Sequence, residues 1–231
     1  MRLFHQHLQK LKFLERKKHH PLVHQLHKKY GISKKTLFYM KEYGPHANIP
    51  RTIIRESLGI LLLASVISSF GGLSLEYIKS TLVSIIPLII LLPVLNGMIG
   101  NYGIIMSSKF STMLHEGKIK GRWWVVSSIR KLFMQIFVLA IITGLLSAIA
   151  ALAISSISGH PFTSMLASKV MFIVILDVIL LIGILMLVST SAGVYFFSKE
   201  EDPNNFLIPI TTSITDLGNM VLLSVLIVLI F

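Results

Sequence analysis

Residues 170–196 read VMFIVILDVILLIGILMLVSTSAGVYF, a run in which Asp177 is the one acidic or basic side chain. A bilayer core of about 30 Å takes about 20 helical residues to cross. The run is therefore long enough to span, and its composition gives it no reason to stay in water. Four further segments read the same way: Ile53–Leu75, Thr81–Ser107, Leu132–Ser156 and Phe206–Phe231. The second is interrupted by Pro87, Pro93 and several glycines. Barrel strands would be about 10 residues long and would alternate polar with apolar residues, which none of these does. The fold class is all-α: a polytopic membrane protein with five transmembrane helices.

Composition agrees. Of 231 residues, 53% are hydrophobic and only 14% charged, too little charge to cover a soluble domain of this length. Residues 1–51 differ from the rest. The first fifty hold eleven Lys or Arg against two Glu, and seven of the nine His. Two regions follow: a basic, His-rich segment over 1–51 and a five-helix transmembrane domain over 52–231. There is no cysteine, so disulfides and thiolate metal sites are excluded. The start, MRLFHQHLQKLKFLERKKHH, lacks the apolar stretch of a cleavable signal peptide, so the first spanning segment is expected to do the targeting.

Lys and Arg bias in the loops sets the expected orientation. The head is basic. So is the loop after the second segment, with Lys109, Lys118, Lys120, Arg122, Arg130 and Lys131 against Glu116. The loops after the first and third offer little. The N-terminus and the second and fourth loops are expected in the cytoplasm and Phe231 outside, in a multi-pass protein of the cell membrane. Trp123 and Trp124 read as an interfacial anchor. The fourth loop, with Lys199 against Glu200, Glu201 and Asp202, is acidic and dissents weakly.

An ionisable residue at mid-membrane costs roughly 2.5–3.5 kcal/mol on insertion scales, so two carboxylates stand out. Asp216 lies about ten residues into the fifth segment, with Thr212 and Asn219 on the same helical face. A carboxylate flanked by oxygen ligands on a wet path suits a hard cation; the plainer reading is a protonated Asp bonded to a neighbouring helix. Asp177 reads three ways: a second pore carboxylate, a proton relay, or an interhelical hydrogen-bond partner. In PVLNGMIGNYG, Pro93, Gly97 and Asn101 fall four apart and share a face. Proline frees a carbonyl, and such groups are tolerated at membrane depth where they line water or bury against protein. That face is a candidate source of neutral oxygen ligands opposite Asp216; the alternative is a kinked packing helix. Asp202 followed by Pro203 fits an N-cap with Pro in the first turn, and Asp202 with Glu200 and Glu201 would make a cation-attracting mouth. Ser65, Ser68, Ser69, Gly71 and Gly72 of the first segment read as close packing rather than ligands. In the head, His20, His24 and His27 share a helical face near His5 and His7. The segment reads as an amphipathic helix, solvated or lying on anionic lipid, ahead of a transition-metal sensor. No motif supports nucleic-acid binding. No GxxxxGK[ST] loop is present, so ATP-driven pumping by this chain alone is not expected.

Two motifs resemble a known family. PVLNGMIGNYGIIMSSKFST is similar to the corresponding helix of the MgtE magnesium transporters and their eukaryotic solute-carrier relatives, through Pro93, Gly97, Gly100, Asn101 and the run Ser108 to Thr112. DPNNFLIPITTSITDLGN resembles the relatives' Asp-Pro, Ile-Pro, Thr, Asp-Leu-Gly pattern, here Asp202, Pro203, Ile208, Pro209, Thr211 or Thr212, Asp216, Leu217 and Gly218. RESLGILLLASVISSFGGL is similar but less specific. The resemblance covers about residues 52 to 231. It implies that Asp216 lies in the pore and holds the cation, that the Gly-Asn helix lines the same pore at a two-fold interface, and that the unit forms a parallel homodimer or pairs with a second such chain. There are departures. A basic head stands where the bacterial members carry an acidic gating region. Gly103 stands where the solute-carrier relatives often place Glu, and those relatives carry two such units where this sequence carries one.

The expected function is transport of a divalent cation, Mg²⁺ first, through a channel formed at a homodimer interface by the second and fifth helices. Mg²⁺ keeps several waters and uses few carboxylates. Asp216 from two subunits would bind the hydrated ion, with Asn101, Thr212 and freed carbonyls near Gly97 holding its waters. No enzymatic activity is expected. Three readings compete with it: a carrier exchanging the dication for Na⁺ or H⁺ with Asp177 as coupling group, an intramembrane aspartyl protease using Asp177 and Asp216, and a non-transporting membrane scaffold.

Overall fold

The structure, a computed structural model, describes residues 21–32, 49–119, 126–199 and 201–231. All regular structure among them is helical: α1 (Pro21–Tyr30), α2 (Ile49–Tyr77), α3 (Lys79–Ser84), α4 (Ile86–His115), α5 (Ser127–Ile157), α6 (Ser164–Ser198) and α7 (Pro203–Ile230). Five of them, α2, α4, α5, α6 and α7, are long and apolar enough to cross a membrane. They coincide with the five segments read from sequence.

The second segment differs at both ends. Its start is not one helix from Thr81. α3 stops at Ser84, Ile85 leaves helical geometry at φ −121°, ψ 80°, and α4 restarts with Pro87 in its first turn. Proline inside a continuous helix would clash with the carbonyl four residues back and leave it unbonded, whereas the first turn has no partner for that N–H anyway. At its other end α4 runs past Ser107 to His115. Gly117, at φ 69°, lets the chain turn there, and the Lys118 N–H donates to the Met113 carbonyl at 3.1 Å, closing the helix as a left-handed glycine does. α7 opens on the anticipated cap: the Asp202 carboxylate accepts from the Asn204 N–H at 3.0 Å, with Pro203 in the first turn. Its far end is met by Lys169, whose ammonium donates to the Ile230 carbonyl at 2.7 Å and lies over the Phe231 ring, a favourable charge for a helix C-terminus.

α7 is the hub. It packs against α2, α4 and α6, while α5 packs on α4 and α6 and α2 is held chiefly by α7. The shared core lies between α4, α5, α6 and α7, with Leu95, Ile99, Ala140, Val174 and Leu181 fully or almost fully buried. Lipid tails are as apolar as these side chains, so close packing rather than burial from water must hold the helices together. Small residues permit it. A Cβ added to Gly71 of α2 would meet the Asp216 carbonyl oxygen and Leu217 Cα of α7, both at 3.3 Å. The outward faces stay apolar: Leu61, Leu62, Val66 and Phe70 on α2, and Leu139 and Leu146 on α5, are exposed. A surface of that extent needs lipid, or another protein, rather than water.

α1 carries His24, exposed, and His27, half-buried, with Val23 and Leu26 buried. The Gly31 carbonyl after it lies 3.8 Å from where a Gly117 Cβ would sit, so α1 meets the end of α4. His5, His7, His20, Arg122, Trp123, Trp124 and Glu200, which carried the expected head face, anchor and mouth, lie outside the described residues. Among the described residues no three His, Asp or Glu side chains group as a metal site.

Candidate cation site

Asp216 lies midway along the 28 residues of α7, half-buried, at the seam where α2 and α4 both approach it. Its carboxylate accepts two hydrogen bonds. Asn96 of α4 donates from Nδ2 to Oδ1 at 2.7 Å, and Ser68 of α2 donates from Oγ to Oδ2 at 3.0 Å. Both donors are neutral, and no basic side chain among the described residues pairs with the carboxylate. The Asn96 Oδ1 is itself buried without a hydrogen-bond partner. The seam thus offers three oxygen functions and one uncompensated negative charge at mid-span, a donor set that suits a hard cation keeping most of its water.

The rotation of α4 decides which of its residues take part. Gly100 and Gly103 face α7: their absent Cβ positions lie 3.9 Å from the Thr215 methyl and 3.2 Å from Thr211 Cβ. Asn96 and Ser107 follow at four-residue spacing on that same face. Pro93, Gly97 and Asn101 therefore lie on the adjoining face. All three are exposed, and a Cβ at Gly97 would touch nothing within 4 Å. They share one face, as read from their spacing, but within this chain that face is bare and Asn101 does not reach Asp216. Thr212 lies one turn from Asp216 on α7, half-buried, its hydroxyl donating to the Ile208 carbonyl at 2.8 Å.

Asp177 sits in α6, fully buried. The side-chain amide of Asn219, oriented so that both its atoms are satisfied, donates to Asp177 Oδ2 at 3.0 Å and accepts from the Asn96 backbone N–H at 3.3 Å. Asp177 Oδ1 has no partner among the described residues. Asp202 stands at the start of α7, away from Asp216 in place and role: 7% exposed, it caps the helix and approaches His115 Nε2 at 3.9 Å, while the His115 ring stands edge-on to Phe197.

Sequence reasoning passed over two partners of Asp216. Asn96 stands inside PVLNGMIGNYG, one residue before Gly97, but the four-residue spacing of Pro93, Gly97 and Asn101 drew attention to the adjoining face. Ser68 was read as a packing residue; it packs and donates as well. The usable signal was that a mid-span carboxylate needs polar partners on neighbouring spans, and the second offers two asparagines, Asn96 and Asn101, toward its middle.

Comparison with known proteins agrees on the region. The MgtE family model, described as a divalent cation transporter, matches residues 92–226, which take in Asn96, Asp177 and Asp216. Solute carrier family 41 member 2 of Gallus gallus is 28% identical over 189 residues, covering 76% of this chain and 32% of the relative. The Homo sapiens protein of the same name is 29% identical, covering 75% and 32%. Solute carrier family 41 member 3 of Mus musculus is 32% identical over 173 residues, covering 71% and 34%. The chain thus spans about a third of the length of the curated relatives it matches. No solved structure matches.

Proposed function

Because the chain belongs to the MgtE family of divalent cation transporters, we propose that it passes divalent cations, Mg²⁺ foremost, across the membrane with Asp216 as the charged group that holds the ion. The observation that carries this reading is a mid-span carboxylate bonded to neutral donors alone. Such a charge is costly in lipid, and a dication passing along the seam offsets that cost. The ion keeps most of its water, and Asp216, the Asn96 carbonyl oxygen and Thr212 orient that water.

The bare face of α4, carrying Pro93, Gly97 and Asn101 one helix turn from the seam, supports a second copy of this chain as the opposite wall. Two Asp216 carboxylates then face one path. They repel each other when it is empty and are relieved when a dication arrives. With the N-terminal region in the cytoplasm, an inside-negative potential drives uptake at about 4.6 kcal/mol per 100 mV for a double charge.

Two measurements test the reading. Purified protein in liposomes loaded with a Mg²⁺-sensitive dye should take up Mg²⁺ under an inside-negative potential, while empty liposomes do not; wild-type protein that moves none of Mg²⁺, Mn²⁺ and Co²⁺ would sink it. The chain has no cysteine, so one introduced thiol reports cleanly on the second wall. Asn101→Cys should give a disulfide-linked dimer on mild oxidation in membranes. Leu139→Cys, on the exposed face of α5, should stay monomeric. Equal cross-linking of both would remove the support for this interface.

A further inference from the structure

A fully buried carboxyl group that the cation seam does not use is linked to it through Asn219 and Asn96. Asp177 is enclosed by α4, α5 and α7. One of its oxygens accepts from Asn219, and the other has no partner among the described residues. An isolated carboxylate cannot remain charged in such surroundings without a cation or a proton. A proton on the bare oxygen neutralises it and needs no space for a metal ion with its waters. Asn219 occupies the same face of α7 as Asp216, three residues on, and it also accepts from the backbone of Asn96, whose side chain donates to Asp216. The two carboxyl groups are thus joined through two asparagines.

The surroundings of Asp177 are lopsided. Toward the start of α6 its neighbours in the core are Val170 and Val174, with Leu223 and Ile227 of α7, all buried and apolar. Toward the end of α4, buried hydroxyls succeed one another. Thr215 and Thr211 follow Asn219 at four-residue spacing on α7. Beyond them Ser107 of α4 meets Ser189 of α6 at 3.3 Å, and Ser111 lies fully buried with its Oγ unpartnered. His115, one turn past Ser111, opens at that end of the bundle.

We propose that Asp177 is a proton-binding site coupled to cation occupancy at Asp216: the arriving dication displaces a proton from Asp177, and the proton returns when the ion leaves. The inference rests on Asp216 as the cation site. The carboxylic acid gives up its O–H proton, the electron pair stays on the carboxylate, and the proton leaves for solvent on the polar side, toward His115. Coulomb attraction between the new carboxylate and the dication drives the exchange, through a medium where charges are poorly screened. The titratable groups on the facing helices are few. α7 offers Asp216. α4 offers Tyr102, whose phenol is bonded to Thr143 at 2.9 Å, with Lys109 and His115 at its end. α5 offers Arg130 and Lys131 at its start.

The test uses the full chain in detergent or liposomes, with Mg²⁺ as the probe. Linkage of one proton to one ion predicts that apparent Mg²⁺ affinity rises with pH, by up to about tenfold per pH unit wherever Asp177 holds its proton in the ion-free protein. Adding Mg²⁺ in weak buffer should acidify the medium. Asp177→Asn should bind Mg²⁺ with an affinity nearly flat in pH, near the wild-type value at low pH, and release no proton. Wild-type protein that binds Mg²⁺ without releasing protons overturns the proposal, as does an Asp177→Asn protein that releases them as wild type does. Wild-type protein that does not bind Mg²⁺ at all overturns the reading of Asp216 instead, and this one with it. If Asp177→Asn does not fold, infrared difference spectra of the wild type decide. Loss of a protonated-carboxyl band on adding Mg²⁺, a band that moves in Asp177→Glu, supports the exchange, and an unchanged spectrum overturns it.

Discussion

Replacing Asp216 by Ala is expected to reduce Mg²⁺ flux into liposomes by at least about 100-fold. The argument is electrostatic. A hydrated dication about 5 Å from a carboxylate gains on the order of 6 kcal/mol at an effective dielectric of about 20, and each 1.4 kcal/mol is worth about tenfold in occupancy. Less than half of that interaction, lost, already gives the stated effect. Asp216→Asn separates charge from shape. The amide keeps an acceptor for Asn96 or Ser68 and nearly the same volume, so the protein should fold with its helix packing intact. It should nonetheless lose flux almost as fully as the Ala variant. Asp216→Glu keeps the charge on a longer arm and should retain part of the flux. Asp216→Asn with wild-type flux would show that the carboxylate is a packing group.

The second large effect concerns two adjacent glycines with opposite surroundings. At Gly71 a Cβ would lie 2.7 Å from the flexible Met220 sulfur, which can move, and 3.3 Å from Asp216 and Leu217 backbone atoms, which cannot. At Gly72 nothing lies within 4 Å. Gly71→Leu should therefore push α2 off α7. Overpacking of this kind costs about 1–3 kcal/mol, or roughly 2–12 °C in Tm for a chain of this size. Ser68, one turn away, would lose its bond to Asp216, and the bond from the Ser224 hydroxyl to the Ser74 carbonyl at 3.0 Å would go too. Flux should fall alongside Tm. Gly72→Leu should change neither. Equal melting temperatures for the two variants, read by a thermal-shift assay on purified protein, would mean that α2 and α7 do not approach as described.

The spans were legible because their signal is local: composition over a window of about 20 residues settles membrane crossing without knowledge of any neighbour. The cap at Asp202 was legible for the same reason, since Asp-Pro acts on the next few peptide groups. So was the polar stripe of Thr212, Asp216 and Asn219, which is a matter of helical spacing. What spacing cannot supply is the azimuth of one helix against another. Whether α4 turns Asn96 or Asn101 toward Asp216 depends on where Gly100 and Gly103 let α7 come close, a packing outcome spread over several helices. Asp177 was ambiguous on the same ground, because its partner Asn219 belongs to another helix. The break at Ile85 was half legible: Pro87 was noted as an interruption, but composition does not say whether a proline kinks a helix or begins one.

The attachment of α2 to α7 has a consequence for how the protein is made. Ribosomes deliver the spans in order, and α2 is the first of the five to reach the lipid. Its mate is the last. Through the synthesis of α3, α4, α5 and α6 it must wait as a solitary rod, with Ser68 and the glycine notch at Gly71 turned toward acyl chains. The oily residues around most of its circumference make that wait tolerable, and assembly is completed only when α7 arrives and slots between the waiting rod and the preformed trio.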